Sequence, residues 1–233
     1  MTPTHCPYCA LQCATTLHPV SGPGAVEVQP RDFPTNRGGL CRKGWTAPDV
    51  LTVPDRLTVP LVRNAAGELE ETTWDAALDF VASRITTLQA EHGHDAVAVF
   101  GGGGLTNEKA YALGKFARVA LRTANVDYNG RFCMSSAAAA TNRAFGIDRG
   151  LPFPLADLGG AGAVLLVGSN LAETMPPAVA HLQGARDAGG LLVVDPRRSA
   201  TAGLTDEGAG LHLQATPGTD LALVLALTHV VLQ

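Results

Sequence analysis

The sequence predicts an α/β protein: a small cysteine-rich module at the N-terminus, then parallel sheets with helices packed against them. Three observations predict it. Short aliphatic runs at 96–100, 163–167 and 191–194 alternate with stretches of three- and four-residue apolar periodicity, the pattern of βαβ units. Residues 1–50 hold four of the five cysteines, are rich in Pro and Gly, and lack helical periodicity; a segment this short cannot rest on its own core. Apolar residues make up 46% of the 233 and charged residues only 16%, which excludes a disordered chain and predicts a sizeable core.

The elements follow in order. Residues 51–63 read as an extended connector, because Pro54 and Pro60 block a continuous helix. Trp74, Leu78, Val81, Ile85 and Leu88 share one helix face, expected to be core, with Thr72 and Asp75 as a capping box and Gly93 as the stop. Ala96–Phe100 is a buried strand, Gly101–Gly104 a turn, and Thr106–Thr123 a second helix. Asn125–Cys133 is extended and Met134–Phe145 helical. Gly146–Leu158 is a loop, Ala163–Val167 a strand, 177–188 a helix, Leu191–Val194 and Leu211–Leu213 strands. An apolar tail helix starts near Thr219. These elements make a Rossmann-like parallel-sheet αβα arrangement in two segments, 57–133 and 134–233, behind a module at 1–56.

Charge and termini narrow the function. Lys and Arg number 17 against 21 Asp and Glu, a net charge of −4. No basic stripe is present to meet a phosphate backbone, so no nucleic-acid partner is expected. The first residues carry neither a basic nor an apolar leader region, so a cytoplasmic location is expected. The tail from Leu221 to Gln233 is too short for a bilayer, which needs about 20 residues, and fits a core helix; no membrane partner is expected.

The cysteines carry the strongest signal. Cys6, Cys9 and Cys13 lie on one short loop and Cys41 follows far downstream, a C-x2-C-x3-C-x27-C spacing. Structural zinc sites more often pair two knuckles of two ligands each. Three thiolates together plus one remote favour a 4Fe–4S cluster, with a zinc knuckle as the alternative. His5 reads as a surface histidine beside Cys6. Lys43, two residues after Cys41, is either a cation that eases placing an electron on an anionic cluster or a solvated surface lysine.

Cys133, in Asn129-Gly-Arg-Phe-Cys-Met-Ser-Ser, is by itself either a buried apolar residue or a thiolate favoured at a helix N-terminus. Three strand-to-loop junctions add weight: Gly168-Ser-Asn-Leu-Ala-Glu173, Asp195-Pro-Arg-Arg-Ser199 and Pro217-Gly-Thr-Asp220. Ligands of open α/β sheets bind beyond the carboxyl ends of strands, and glycines admit a diphosphate close to backbone amides. Together the loops suggest a nucleotide-containing cofactor. An NAD site at Gly102-x-Gly104-x-x-Asn107 fails at the third glycine. No serine-hydrolase signature is present.

In this order, the four cysteines with Cys-Arg-Lys-Gly, then Arg-Phe-Cys-Met-Ser-Ser, Val-Gly-Ser-Asn-Leu-Ala-Glu and Asp-Pro-Arg-Arg, resemble a known family. The chain is similar to the N-terminal part of catalytic subunits that carry Mo-bis(molybdopterin guanine dinucleotide), the nitrate reductase and formate dehydrogenase family. The resemblance implies that Cys6, Cys9, Cys13 and Cys41 hold a 4Fe–4S cluster, and that Lys43 lies between cluster and pterin. It implies that Cys133 ligates molybdenum with Asn129 near the pterin, and that Asn107 and the Gly101–Gly104 turn face the cofactor. Dinucleotide contacts fall on Gly168, Ser169, Asn170 and Glu173, on Asp195, Pro196, Arg197, Arg198 and Ser199, and on Gly218, Thr219 and Asp220.

Formate dehydrogenases usually follow the metal-binding residue with a proton-handling His. Met134 resembles the assimilatory nitrate reductases instead. The expected activity is reduction of nitrate to nitrite by oxygen-atom transfer, with a ferredoxin, flavodoxin or flavoprotein as electron donor. Family subunits are several times longer. Formate oxidation, and a fragment retaining only iron–sulfur electron transfer, are the alternatives.

Overall fold

The computed structural model describes residues 1–22, 24–147 and 150–233. The chain forms two compact units: one joins Met1–Thr52 to Leu151–Gln233, and the other is Val53–Gly150. These limits differ from the segments 1–56, 57–133 and 134–233 expected from sequence. Residues 134–145 stay with the preceding strand, because they continue the helix that starts at Gly130.

The first unit begins with an antiparallel sheet of β1 (Thr2–His5), β2 (Ala14–Pro19) and β3 (Val26–Pro30), with β2 central. The β1–β2 connection is the cysteine loop. It is closed by the Cys6 amide donating to the Cys13 carbonyl at 2.8 Å and the Gln12 amide donating to the Cys9 carbonyl at 3.0 Å. Gln12 sits at φ 46° to make that turn. Cys41 precedes a single helical turn, α1 (Arg42–Trp45).

The second unit opens with a hairpin, β4 (Leu61–Arg63) paired to β5 (Leu69–Glu71), where the sequence suggested only a connector. The turn is built by Asn64, whose Oδ1 accepts from the Ala66 and Glu68 amides, and by Gly67 at φ 85°. Helix α2 (Trp74–His92) ends at Gly93, as expected. Its cap is Thr73, not Thr72: the Thr72 amide still donates to the Pro60 carbonyl, so the next hydroxyl takes the Ala76 amide.

Strand β6 (Val99–Gly101) starts later than expected, because residues 94–96 form a 3₁₀ turn. Helix α3 (Asn107–Lys115) is shorter than expected and gives way to a π turn over Phe116–Ala120. Strand β7 (Val126–Tyr128) pairs parallel to β6. Helix α4 (Gly130–Phe145) begins before Met134, so Arg131, Phe132 and Cys133 are helical rather than extended. A glycine is needed at its first position: a Cβ at Gly130 would lie 2.4 Å from the Tyr128 ring. The expected loop 146–158 includes residues 148 and 149, which lie outside the described residues.

The first unit resumes with β8 (Val164–Val167), α5 (Leu171–Thr174), α6 (Gln183–Asp187), β9 (Leu191–Val194), α7 (Ala200–Gly203), β10 (Gly210–Leu213) and α8 (Asp220–Val231). The helix expected over 177–188 is split: Pro176 and Pro177 lack amide protons and open a 3₁₀ stretch to Leu182 before α6. The sheet runs β10-β9-β8, all parallel, with β9 central. Strand β9 is the most buried, and Leu191 and Val193 anchor a core with Leu171, Leu182 and Ala202. Met175 and Ala178 pack against both this core and the cysteine cluster of Cys6, Leu11 and Cys13.

Two expected core elements are exposed. On α2, Trp74, Leu78 and Val81 are exposed and no residue is buried. On α8, Leu221, Leu225 and Val230 are likewise exposed. Apolar periodicity identifies a face that prefers cover, and among the described residues no element supplies it.

Candidate metal centre and cofactor loops

The cysteine quartet forms where the β1–β2 loop meets the start of α1. Cys6 and Cys13 are buried, Cys9 and Cys41 half-buried, and all four are free thiols. Burial first, then the negative charge of Cys9, Cys6 and Cys41, pushes the Cys13 thiol from 9.0 up to about 11. The charges of the other three cysteines are thus among the causes of the Cys13 shift, after burial. Among the described residues no three His, Cys, Asp or Glu side chains gather tightly enough for one metal ion. A cluster interposes iron and sulfide between its thiolates and suits this wider grouping. Its cationic irons would also relieve the repulsion that burdens Cys13. His5 is exposed, and its Nδ1 donates to the Gln12 carbonyl at 2.7 Å, which leaves it a loop brace.

Lys43 reaches from α1 to the loop after β8, donating from Nζ to the Thr174 carbonyl at 3.0 Å. It thus joins the helix that follows Cys41 to the predicted dinucleotide loop. Because β8, β9 and β10 are parallel, the loops beginning at Gly168, Asp195 and Gln214 leave the sheet at one edge. Gly168 and Gly218 sit at φ 61° and 87°, where a side chain would be strained.

Several of the predicted cofactor side chains already have partners. Asn170 donates to Glu173 at 2.7 Å and accepts from Thr201 at 3.0 Å. Asp195, buried, accepts from the Arg197 amide at 2.8 Å. Arg198 pairs with Asp206 at 2.6 Å. Ser199 caps α7 through the Ala202 amide at 3.3 Å, and Thr219 bonds to the Thr216 carbonyl at 2.7 Å. Pro196 offers its carbonyl to Gln214 at 2.7 Å. Asp220 opens α8. These side chains shape the loops.

In the second unit, the loops after β6 and β7 leave a parallel pair at one end. Asn129 accepts from the Gly103 amide at 2.7 Å, so the glycine turn and the start of α4 are tied together. Cys133 lies in the first turns of α4, exposed, with its Sγ 3.9 Å from the Asn129 carbonyl. The reading of Cys133 as a buried apolar residue is therefore overturned. Asn107 is the first residue of α3, exposed, behind the Thr106 cap.

Sequence reasoning passed over the residues that brace these loops. Asn36, buried, accepts from the Ala14 amide and donates to the Arg31 and Gly39 carbonyls. His212 donates from Nε2 to the Asp195 carbonyl at 2.9 Å, holding the β9 loop. His181, buried, bonds to the Thr35 carbonyl. Only a polar residue amid loop glycines marked Asn36 beforehand; nothing local marks His181 or His212.

Against known families, residues 56–233 match "Molybdopterin oxidoreductase". The chain belongs to this family. Residues 1–52 match "Molybdopterin oxidoreductase Fe4S4 domain", which accords with the quartet at Cys6, Cys9, Cys13 and Cys41. Relatives of the chain include an assimilatory nitrate reductase catalytic subunit of Bacillus subtilis (strain 168), 41% identical over 98% of this chain and 32% of that protein. An F420-dependent formate dehydrogenase subunit alpha of Methanocaldococcus jannaschii is 34% identical over 99% of this chain and 33% of its own length. A nitrate reductase of Shewanella frigidimarina is 38% identical over 94% of this chain and 23% of its own. The chain thus spans about a third or less of the relatives it matches. Among solved structures, acetylene hydratase from Pelobacter acetylenicus superposes with a TM-score of 0.83 at 23% identity, over 100% of this chain and 32% of that one; this likeness concerns the fold. No helix among the described residues is long and apolar enough to cross a membrane.

Proposed function

We propose that the chain is the cluster- and cofactor-binding N-terminal part of a nitrate reductase, reducing nitrate to nitrite by oxygen-atom transfer. The observation that carries the reading is Cys133 on an exposed helical turn, followed in sequence by Met134, whose side chain does not titrate. Removing a proton from formate calls for a titratable group; transfer of an oxygen atom does not. The 41% identity to the Bacillus assimilatory enzyme supports the same choice.

When bound, the molybdenum cofactor supplies the two-electron oxygen-atom exchange. The chain's own residues do the rest. Cys6, Cys9, Cys13 and Cys41 would hold the cluster through which electrons enter. Lys43 sets a positive charge between Cys41 and the Gly168 loop, which lowers the cost of electron passage across that gap. Cys133 would ligate molybdenum, with Asn129 and Asn107 framing the pterin. Gly168–Glu173, Asp195–Ser199 and Gly218–Asp220 would take the guanine dinucleotide. A ferredoxin, flavodoxin or flavoprotein donor and a cytoplasmic setting belong to the same proposal.

The second reading is formate oxidation, favoured by the 34% identity to the archaeal formate dehydrogenase. Anaerobic purification followed by metal analysis and turnover separates the readings. About four iron and one molybdenum per chain with nitrate consumption is the expected result. Formate turnover without nitrate turnover overturns the proposal in favour of the second reading. Iron without molybdenum reduces the chain to an electron-transfer fragment, and zinc in place of iron removes the cluster.

A further inference from the structure

His181 is 1% exposed, and its Nε2 lies 3.0 Å from the Thr35 carbonyl oxygen. A carbonyl only accepts, so Nε2 carries the proton and Nδ1 is left as a bare lone pair. That Nδ1 is buried and meets no partner among the described residues. A buried acceptor without a donor costs free energy that leucine or phenylalanine in the same space would not. The imidazole is thus a liability on one side, and its function lies with the bond on the other.

That bond leads into the cysteine loop. Thr35 donates from its hydroxyl to the Leu11 carbonyl at 2.5 Å. Leu11 stands between Cys9 and Cys13, buried in the cluster formed with Cys6 and Cys13. Two residues after Thr35, Arg37 donates to the Ala180 carbonyl at 3.1 Å, so the segments 35–37 and 180–181 are braced in both directions. His181 itself lies between Met175, which packs on the cysteine cluster, and α6. Position 181 therefore reaches the sulfur loop through two hydrogen bonds, from the far end of the chain.

We infer that His181 is a positioning residue of the iron–sulfur centre, acting through Thr35 to set where Leu11, and with it Cys9 and Cys13, stand. The inference rests on the reading of the quartet as a 4Fe–4S site. Displacing the loop changes both the access of solvent to the cluster and the amide dipoles around its sulfurs, the quantities that tune its potential and its lability.

The test uses the full chain, purified anaerobically and loaded with iron and sulfide, with iron loss to a chelator and the midpoint potential as readouts. H181Q keeps a donor at the Nε2 position, whereas H181L removes it at similar volume. T35V removes the hydroxyl arm alone and leaves the Thr35 carbonyl for His181. H181L and T35V are expected to speed iron loss about fivefold, the factor equivalent to one net hydrogen bond, and to shift the potential in the same direction. H181Q is expected to match wild type, and H181L/T35V to exceed neither single variant, because both cut one chain. Wild-type potential and iron retention in H181L or T35V overturn the inference, as do additive effects in the double variant. A wild-type chain that takes up no iron overturns the cluster reading and this inference with it, a result distinct from a loaded wild type whose variants are unchanged.

Discussion

Asn36 offers the sharpest test of how the cysteine module is held. It is 3% exposed, its Oδ1 accepts from the Ala14 amide at 3.1 Å, and its Nδ2 donates to the Arg31 carbonyl at 3.0 Å and the Gly39 carbonyl at 2.9 Å. One donor and two acceptors fix the amide's orientation without ambiguity. The three bonds join β2 next to Cys13 with the loop that leads to Cys41. Truncation to Ala removes all three, at about 1 kcal/mol each, for about 3 kcal/mol in total. Leaving the buried Ala14 amide without an acceptor adds up to roughly another 1 kcal/mol. Asn36→Asp is the stricter variant, since it keeps size and the acceptor but turns a carboxylate oxygen on two carbonyls. A loss of about 3 kcal/mol corresponds to a urea midpoint lowered by about 1.5 M at a slope of about 2 kcal/mol per molar. Equilibrium urea unfolding of the cluster-free chain measures it, and faster iron loss from the loaded chain accompanies it. If both variants unfold within about 0.5 kcal/mol of wild type, the shift expected of an ordinary surface site, Asn36 does not organise the module.

Three further outcomes are expected. In the cluster-free chain burial, and then the charge of the neighbouring cysteines, keep the Cys13 thiol protonated above its ordinary range. Its folded value of about 11 against 9.0 means that stability from this group is intact below pH 9 and is lost as pH rises to about 11. Thiolate absorbance alongside denaturation checks this, and an early Cys13 titration contradicts it. Cys133→Ala is expected to abolish nitrate turnover in the loaded full-length enzyme while leaving iron content and the cluster's spectroscopic signal unchanged; retained turnover removes Cys133 from the ligand set. Gly210→Ala puts a Cβ 1.8 Å from the Leu191 carbonyl oxygen, so β10 must part from β9, at a cost of about 1–3 kcal/mol read as a lowered thermal midpoint; a wild-type midpoint contradicts the close approach.

Much of the fold was legible because its signals are local. Leu191–Val194 is a strand both by pattern and in the structure, since a short aliphatic run bounded by Gly189-Gly190 and Asp195-Pro196 has few other uses. Gly93 ends α2 at φ 86°, a conformation that marks glycine in any sequence. Where local signals compete, the reading slipped. Thr72 and Thr73 are equal as caps until the backbone pairing of Thr72 with Pro60 decides between them. The helical start at Gly130 was hidden because Arg131-Phe132-Cys133 suits either extended or helical backbone. Burial of α2 and α8 was inferred from apolar periodicity, which specifies a face and not the neighbour that covers it.

The chain's own order of residues was enough to announce a sulfur quartet, parallel strands and glycine-bearing loops beyond their ends, because spacing along a backbone of fixed reach dictates which groups can converge. Folding in three dimensions alone decided which distant groups hold that quartet in place. Thr35 meets His181, Lys43 meets Thr174, and Asp195 meets His212, and no periodicity records such pairs. A hydrogen bond between residues far apart in sequence leaves no local imprint. It exists only once the hydrophobic contacts of Met175 and Ala178 have brought the two stretches together.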